Sequence, residues 1–242
     1  MELLELSLTS PAENLAADEA LLDWCEAGNG GEMLLFWEPR EVFVVAGYAN
    51  KVVTEVNAPV CETKNIPIFR RCSGGGTVVQ MPGGLNYSLI LRITENGPMR
   101  SISSTNKFVM ERNRDAIQSA TGNRQPAIVV RGHTDLCLGN LKFAGNSQRR
   151  RRNFLLFHGT LLLDCDLKLI SELLLMPSKQ PDYRANRVHE NFVTNVHLPA
   201  EKVKAALAQE WKAVPSGGHV PMDEIKKIAA EKYSSRGWNF KF

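Results

Sequence analysis

The sequence predicts an α+β fold. Three observations carry that prediction: a capped apolar helix near the start, a run of short β-rich segments through the middle, and helical patterns that return toward the end. Strands in runs, with helices before, between and after them, argue for a largely antiparallel or mixed sheet with flanking helices, and against a doubly wound parallel sheet. With 242 residues, 43% of them hydrophobic, a folded chain hides roughly 70% of the surface its unfolded form exposes, so the core needs neither disulfides nor metals. One domain over residues 1–242 is expected, its last stretch of about 40 residues a helical extension.

Ser10-Pro11-Ala12-Glu13 supplies a cap, a proline at the first helical position and a glutamate that can return a bond to the cap. A helix follows over Pro11–Glu26 with Leu15, Leu22 and Cys25 on its apolar stripe, and Gly28 to Gly31 ends it. Residues 34–38, 42–46 and 67–71 read as strands, as do 77–80 and 85–92, which the turn Pro82-Gly83-Gly84 would join into a hairpin. Residues 103–121 read as a helix capped by Ser104 or Thr105. Strands are expected again over 127–130, 135–138, 141–148 and 153–164, with Gly139-Asn140 as a two-residue turn. Helical candidates at 167–175, 200–211 and 222–236 are joined by loops at 177–181 and 215–221. No internal repeat or low-complexity linker marks a second large domain.

Composition excludes some functions. Lys+Arg 29 against Asp+Glu 26 leaves a net charge of +3, too weak for a surface built to neutralise nucleic acid. No apolar run approaches the roughly 20 residues of a membrane span. Glu2 and Glu5 stand where a secretion signal carries positive charge, so a cytoplasmic location is expected. The cysteines, Cys25, Cys61, Cys72, Cys137 and Cys165, form no C-x-x-C pair and no His/Cys ligand spacing, which argues against a disulfide framework and a side-chain metal cluster.

Three stretches carry chemistry. In Arg70-Arg71-Cys72-Ser73-Gly74-Gly75-Gly76-Thr77-Val78-Val79-Gln80, three glycines between strands bare backbone N–H groups that can approach a phosphate, with two arginines as anion donors. The stretch is no P-loop and opens no helix, and an ordinary strand connection would look the same. Lys142, between Leu141 and Phe143 and followed by small residues, either faces water from an edge strand or serves a phosphate or oxyanion. His158, in Phe157-His158-Gly159-Thr160-Leu161-Leu162, is either an acid/base or a hydrogen-bonded structural residue. Arg149-Arg150-Arg151-Arg152 reads as a solvated hairpin tip or as a docking rim for an acidic partner.

In this order the motifs Arg-Arg-x-Ser-Gly-Gly-Gly-x-Val, Gly-x-Leu-Asn-Tyr-Ser, Asp-Leu with Lys-x-x-Gly-x-x-Gln, and His-Gly-Thr-Leu-Leu resemble the lipoate-protein ligase family, within the biotin and lipoate protein ligases and octanoyltransferases. Asn14 to Glu19, Gly47 to Asn50 and Lys179 to Asn195 extend the resemblance over most of residues 1–200. It implies an α+β catalytic domain that activates lipoate with ATP and Mg2+, retains lipoyl-AMP, and passes the acyl group to one lysine of an acceptor, such as the lipoyl domain of a 2-oxoacid dehydrogenase or the glycine cleavage H protein. It further implies that Arg71, Gly76, Thr77, Val78 and Val79 hold the nucleotide, that Ser73, Gly74 and Gly75 shape the pocket, and that Lys142 contacts phosphate and lipoyl carbonyl. Asn86 and Asp135 are implied nearby, with Cys72, Cys137 and His158 as site neighbours.

Two departures matter. Gln80 stands where many such ligases have histidine, and the chain stops near the end of the catalytic domain, so it resembles a short form, of a kind whose members can depend on a separate accessory polypeptide. The rival is an octanoyl- or lipoyl-transferase, which the resemblance implies works through a cysteine thioester; Ala127 falls about where one branch of these places its cysteine. A non-enzymatic lipoyl-domain binder would not need Arg71, the glycine triplet and Lys142 intact.

Overall fold

A computed structural model describes residues 1–122, 126–215, 217 and 220–242. Strand β1 (Glu2–Glu5) leads into α1 (Pro11–Glu26), β2 (Met33–Trp37), β3 (Phe43–Ala46), the short helices α2 (Val52–Glu55) and α3 (Ala58–Thr63), and β4 (Ile68–Arg70). Then come β5 (Val78–Gln80), β6 (Gly84–Arg92), α4 (Ile102–Thr121), β7 (Ile128–Arg131), β8 (Asp135–Leu138), β9 (Leu141–Arg150) and β10 (Phe154–Leu162). The chain closes with α5 (Lys168–Leu173), α6 (Ala200–Glu210), β11 (Val214–Pro215), α7 (Met222–Ile228) and α8 (Arg236–Asn239). The α+β expectation holds.

An eight-stranded mixed sheet runs β11-β1-β2-β6-β10-β9-β8-β7, and a three-stranded sheet runs β4-β3-β5. Strand β6 is central: all of it but Arg92 is buried, with antiparallel partners on both sides. Its alternation splits the core. Leu85, Tyr87, Leu89 and Leu91 pack toward α4 and α6, whereas Ile90, with Leu156 of β10, packs toward α1 and the C-terminal helices. A third cluster joins the small sheet to α5.

Helix α1 keeps its expected bounds because its cap forms as read: Ser10 Oγ accepts from Glu13 N at 3.1 Å, and Ser10 N donates to the Glu13 carboxylate at 3.4 Å. Helix α4 begins earlier, capped by Ser101 in a reciprocal pair with Ser104. The β8–β9 hairpin turns at Gly139, whose φ is +60°.

The hairpin expected over residues 77–92 does not form. Strand β5 pairs with β3 in the small sheet, while β6 pairs with β2 and β10 in the large one. Between them the turn docks on the end of β10, since the Gly83 carbonyl accepts from Leu163 N and Asp164 N, each at 3.0 Å. Gly83 has φ +87°, and a Cβ there would lie 2.2 Å from the Asp164 carbonyl oxygen. The chain therefore changes sheets at this glycine.

The expected 222–236 helix is α7 followed by a π-helical turn, Ala229–Tyr233. Ile225, Ala229 and Tyr233 are all buried. Positions four apart drift by about 40° per step on a regular α-helix, and the wider turn keeps them on one face. Residues 216, 218 and 219 of the expected 215–221 loop lie outside the described residues.

Candidate active site

A cavity of about 850 Å³ lies between the large sheet and the glycine loop, walled by α1 and covered by residues 177–193. Its floor follows from register. Ser147, His158 and Ser88 stand side by side on β9, β10 and β6, and Gly145, Thr160 and Asn86 form the next row. Strand alternation turns both rows toward α1 and the loop.

Lys142 reaches this face through an irregularity. Leu136 pairs with Ala144 but Cys137 pairs with Lys142, so β9 carries a bulge at Phe143. Phe143 and Ala144 are then both core residues, and Lys142 shares the face of Gly145. Its Nζ lies 2.8 Å from Asp135 Oδ1, and Tyr183 donates to Asp135 Oδ2 at 2.7 Å. A Cβ on Gly145 would come within 2.8 Å of Lys142 Nζ. Because that clash falls on the tip of a flexible side chain, Gly145→Ala is expected to shift the melting temperature by only a few degrees, by roughly 1 kcal/mol or less. Activity should fall by about tenfold or more, because the displaced ammonium leaves its position; equal losses of stability and activity would contradict this.

The two arginines divide. Arg70 is fully buried and donates to the carbonyls of Gly47, Tyr48, Asn50, Trp238 and Asn239, so it ties α8 to the 47–50 turn and is no anion donor. Arg71 lines the cavity, yet it also shapes the loop: Nη2 donates to Gly74 O at 2.5 Å and Gly76 O at 2.7 Å, and Nε to Ser73 Oγ at 3.1 Å. Burial lowers its pKa to about 10, which leaves it charged at neutral pH. Gly75 has φ +84°. Gly76, Thr77, Val78 and Val79 line the roof, and the Thr77 hydroxyl is buried without a hydrogen-bond partner among the described residues. Asn86 exchanges amide hydrogen bonds with Gln80 at 2.8 and 2.9 Å, and Thr160 donates to Asn86 at 2.6 Å. Gln80 thus has a positioning part and no acid/base one.

His158 is brought into a chain of hydrogen bonds. Its Nε2 lies 2.5 Å from Ser73 Oγ, its Nδ1 2.6 Å from Asp18 Oδ2, and Ser88 donates to Asp18 Oδ1 at 2.5 Å. Sequence reading missed Asp18, Ser88, Thr160, Tyr183 and Asn146. One signal for Asp18 was present: it follows Leu15 by three positions and precedes Leu22 by four, which sets a carboxylate on the buried stripe of α1. Asn146 accepts from Tyr87 at 2.6 Å in a buried line that continues through Asn113 to Trp211. Gly159 makes room for it.

All five cysteines are buried, and none is on the cavity lining. Cys72 packs in the α1 core, and Cys137 Sγ is 3.5 Å from the Tyr183 hydroxyl. Burial raises every thiol pKa, to about 12 for Cys25 and Cys72 and about 11 for Cys165. Cys72→Ser and Cys137→Ser are accordingly expected to keep acyl-transfer activity within a few-fold, and native thiols to label slowly. Above 9.0 the unfolded thiols ionise while the folded ones hold their protons, so unfolding free energy is expected to fall as pH rises from 9.0 toward about 11. A urea midpoint that stays level over that range would contradict the burial argument.

The arginine run is not a free tip. Arg149 donates to Cys72 O at 2.7 Å, Arg150 to Met99 O at 2.5 Å, and Arg151 grips Asp23 at 2.7 and 3.0 Å; Arg152 is exposed. Among the described residues no group of three or more His, Cys, Asp or Glu side chains could hold a metal, and no helix is long and apolar enough to cross a membrane.

Solved structures share this architecture. The crystal structure of lipoate-protein ligase A bound with ATP superposes at a TM-score of 0.80, with 24% identity and 99% of both chains covered. The bi-partite lipoate protein ligase of Thermoplasma acidophilum, solved with its E2 lipoyl domain, gives 0.81 at 20% identity over 99% of this chain and 95% of that one. The fold is thus that of the lipoate-protein ligases. Residues 10–212 match the model of the lipoyl protein ligase A/B catalytic domain, and the chain belongs to that family. Relatives include the octanoyltransferase LipM of Halalkalibacterium halodurans, 29% identical over 96% of this chain and 95% of its own length. Lipoate-protein ligase 1 of Staphylococcus aureus is 28% identical over 97% and 71%.

Proposed function

We propose that this chain is an ATP-dependent lipoate-protein ligase, which forms lipoyl-AMP and transfers the lipoyl group to a lysine of an acceptor lipoyl domain. The observation that carries the reading is a cavity holding Lys142 on Asp135 beneath a glycine loop, with none of five cysteines on its lining. An adenylate needs no enzyme-bound nucleophile, because it is itself the activated acyl group.

In the first step the lipoate carboxylate attacks the α-phosphate and pyrophosphate leaves. Charge builds on phosphate oxygens, which Lys142 and the backbone N–H groups of Gly74 to Val79 would meet without reorganisation. The unpartnered Thr77 hydroxyl fits a ligand at that roof. Arg71, Ser73, Gly74 and Gly75 set the loop's shape, Asn86 braces the floor, and Asp135 aims the lysine. Mg2+ would enter with ATP, which supplies the charge neutralisation that a single lysine does not. In the second step the acceptor amine attacks the lipoyl carbonyl, AMP leaves, and Lys142 polarises the carbonyl.

The proposed acceptors are a 2-oxoacid dehydrogenase lipoyl domain or a glycine cleavage H protein in the cytoplasm, with an accessory polypeptide speeding the first step. The test is the purified chain with ATP, Mg2+, lipoate and an acceptor domain, read by mass spectrometry for lipoyl-AMP and acylated acceptor. Neither product, alone or with an accessory polypeptide, would sink the reading. The second reading, an octanoyltransferase acting through cysteine, draws on the relative of that name matched over 95% of its length. Transfer from an octanoyl carrier thioester through a trapped cysteine, with no use of ATP and lipoate, would favour it.

A further inference from the structure

Resting on the ligase reading for what Lys142 does, we propose that Asn146 is a positioning residue for Lys142, which it aims from behind the sheet through Thr134 and Asp135. Asn146 and Thr134 hold each other twice. Asn146 Nδ2 donates to the Thr134 carbonyl at 2.6 Å, and Thr134 Oγ1 donates back to the Asn146 carbonyl at 2.8 Å. The next residue, Asp135, opens β8 and seats the Lys142 ammonium at 2.8 Å on one carboxylate oxygen, while Tyr183 donates to the other at 2.7 Å. Those two bonds fix the end of the Asp135 side chain and leave open the backbone that bears it. The turn before it begins at Gly132, whose φ is +57°, so that backbone has a freedom which the clamp from Asn146 removes.

Asn146 is itself held from deeper in the molecule. Tyr87, Gly159 and Asn146 stand side by side on β6, β10 and β9. A Cβ on Gly159 would lie 1.8 Å from Asn146 Oδ1, so only a glycine there lets the Tyr87 hydroxyl reach across β10 and donate to that oxygen at 2.6 Å. The same hydroxyl accepts from Asn113 Nδ2 at 2.8 Å, and Asn113 Oδ1 accepts from Trp211 Nε1 at 2.8 Å. An indole nitrogen can only donate and a peptide carbonyl can only accept, so the two ends of this line force every donor in it to point toward Thr134. Neither amide can turn over without setting donor against donor. Burial raises the Tyr87 phenol pKa far above its ordinary value, so its proton stays in the line.

Asn113 is fully buried and Tyr87 nearly so, in a cluster that is otherwise aliphatic and aromatic. Polar groups in such a place cost desolvation that apolar residues would avoid, and they are tolerated because each has its partner. This line runs from α6 through α4 and the sheet, and it ends on the residue before the carboxylate that aims the lysine. An ammonium misplaced by about 1 Å at a reacting phosphate can lose up to about a hundredfold in rate, which is the effect Asn146 guards against.

The test has one readout that needs no substrate. The full chain is treated briefly with formaldehyde and cyanoborohydride, and methylation of Lys142 is followed by peptide mass. An amine seated on Asp135 reacts slowly, and Asp135→Asn gives the rate without that seat. Asn146→Ala is expected to raise the rate by about fivefold, close to the Asp135→Asn value. Thr134→Val should raise it as well, and Thr134→Ser, which keeps the hydroxyl, should leave it at the wild-type rate. The second readout is single-turnover lipoyl-AMP formation. Asn146→Ala should slow it by about 10- to 100-fold in the wild-type background. In the Lys142→Ala background the same change should cost less than about twofold, because a residue that acts through Lys142 has nothing left to aim. An unchanged methylation rate in folded Asn146→Ala, or losses that multiply in the double variant, overturns the proposal. Should Asn146→Ala not fold, Thr134→Val decides by the same two readouts. A wild-type chain that forms no lipoyl-AMP counts against the ligase reading alone, and the methylation rates still decide whether Asn146 positions Lys142.

Discussion

Replacing Lys142 with alanine is expected to lower lipoyl-AMP formation and lipoyl transfer by roughly 10²–10³-fold, the usual loss when one preorganised charge is withdrawn from a developing oxyanion. Lys142 Nζ sits on Asp135 at 2.8 Å, and its side chain is 28% exposed, so no core volume is lost. Asp135 keeps its bond from Tyr183 in the variant. The melting temperature should therefore move by a few degrees at most, since a part-exposed ion pair contributes about 1 kcal/mol or less. Single-turnover rates for adenylation and for transfer from preformed lipoyl-AMP should both fall. Near-normal rates would remove Lys142 from the chemistry, and a collapse in stability would make it a structural residue.

The largest stability effect is expected at Arg70. Arg70→Leu would take the guanidinium donor from five carbonyl oxygens, two buried and three part-buried, of which Gly47 O keeps a bond from Asn50 N, and remove a cation whose charge burial already disfavours. Gain from removing the charge is outweighed by the stranded acceptors, and a net loss of about 3–5 kcal/mol is expected. In a chain of this size that corresponds to roughly 10 °C in melting temperature. Arg70→Lys should recover little, because an ammonium has three donors for five carbonyls. The urea midpoint, followed by tryptophan fluorescence, measures both. A loss under about 1 kcal/mol would mean the neighbouring chain closes over the gap.

Adjacent arginines with unlike duties illustrate what could be read from sequence. The α1 bounds, the β8–β9 turn and the three chemistry-bearing stretches were legible, because a capping box, a two-residue glycine turn and a glycine triplet act locally. The exchange of sheets at Gly83 was not. Nothing in Pro82-Gly83-Gly84 tells a hairpin from a turn docked on Asp164, some 80 residues later. Strand β1 escaped notice because four residues with glutamates at both ends have no period, and its pairing depends on β2 and β11. Lys142 could be named, but its direction could not, since an unbulged strand would have turned its neighbour Phe143 to the cavity. Asp18 could be placed on the buried stripe of α1 by its spacing, but its partners could not, since Ser88 and His158 come from β6 and β10.

The bonds from Arg70 to Trp238 and Asn239 also set a schedule for the molecule's making. Residue 70 leaves the ribosome 169 positions ahead of Asn239, an interval of roughly ten to thirty seconds at usual elongation rates. Throughout that interval the segment just before the glycine loop lacks two of the five carbonyls that will hold its guanidinium, and Glu2 awaits Val214. The loop must therefore spend its first seconds in a provisional shape. Its final geometry is reached only after Trp238 and Asn239 have been synthesised, and a nascent chain paused before Trp238 should hold the glycine loop unfinished.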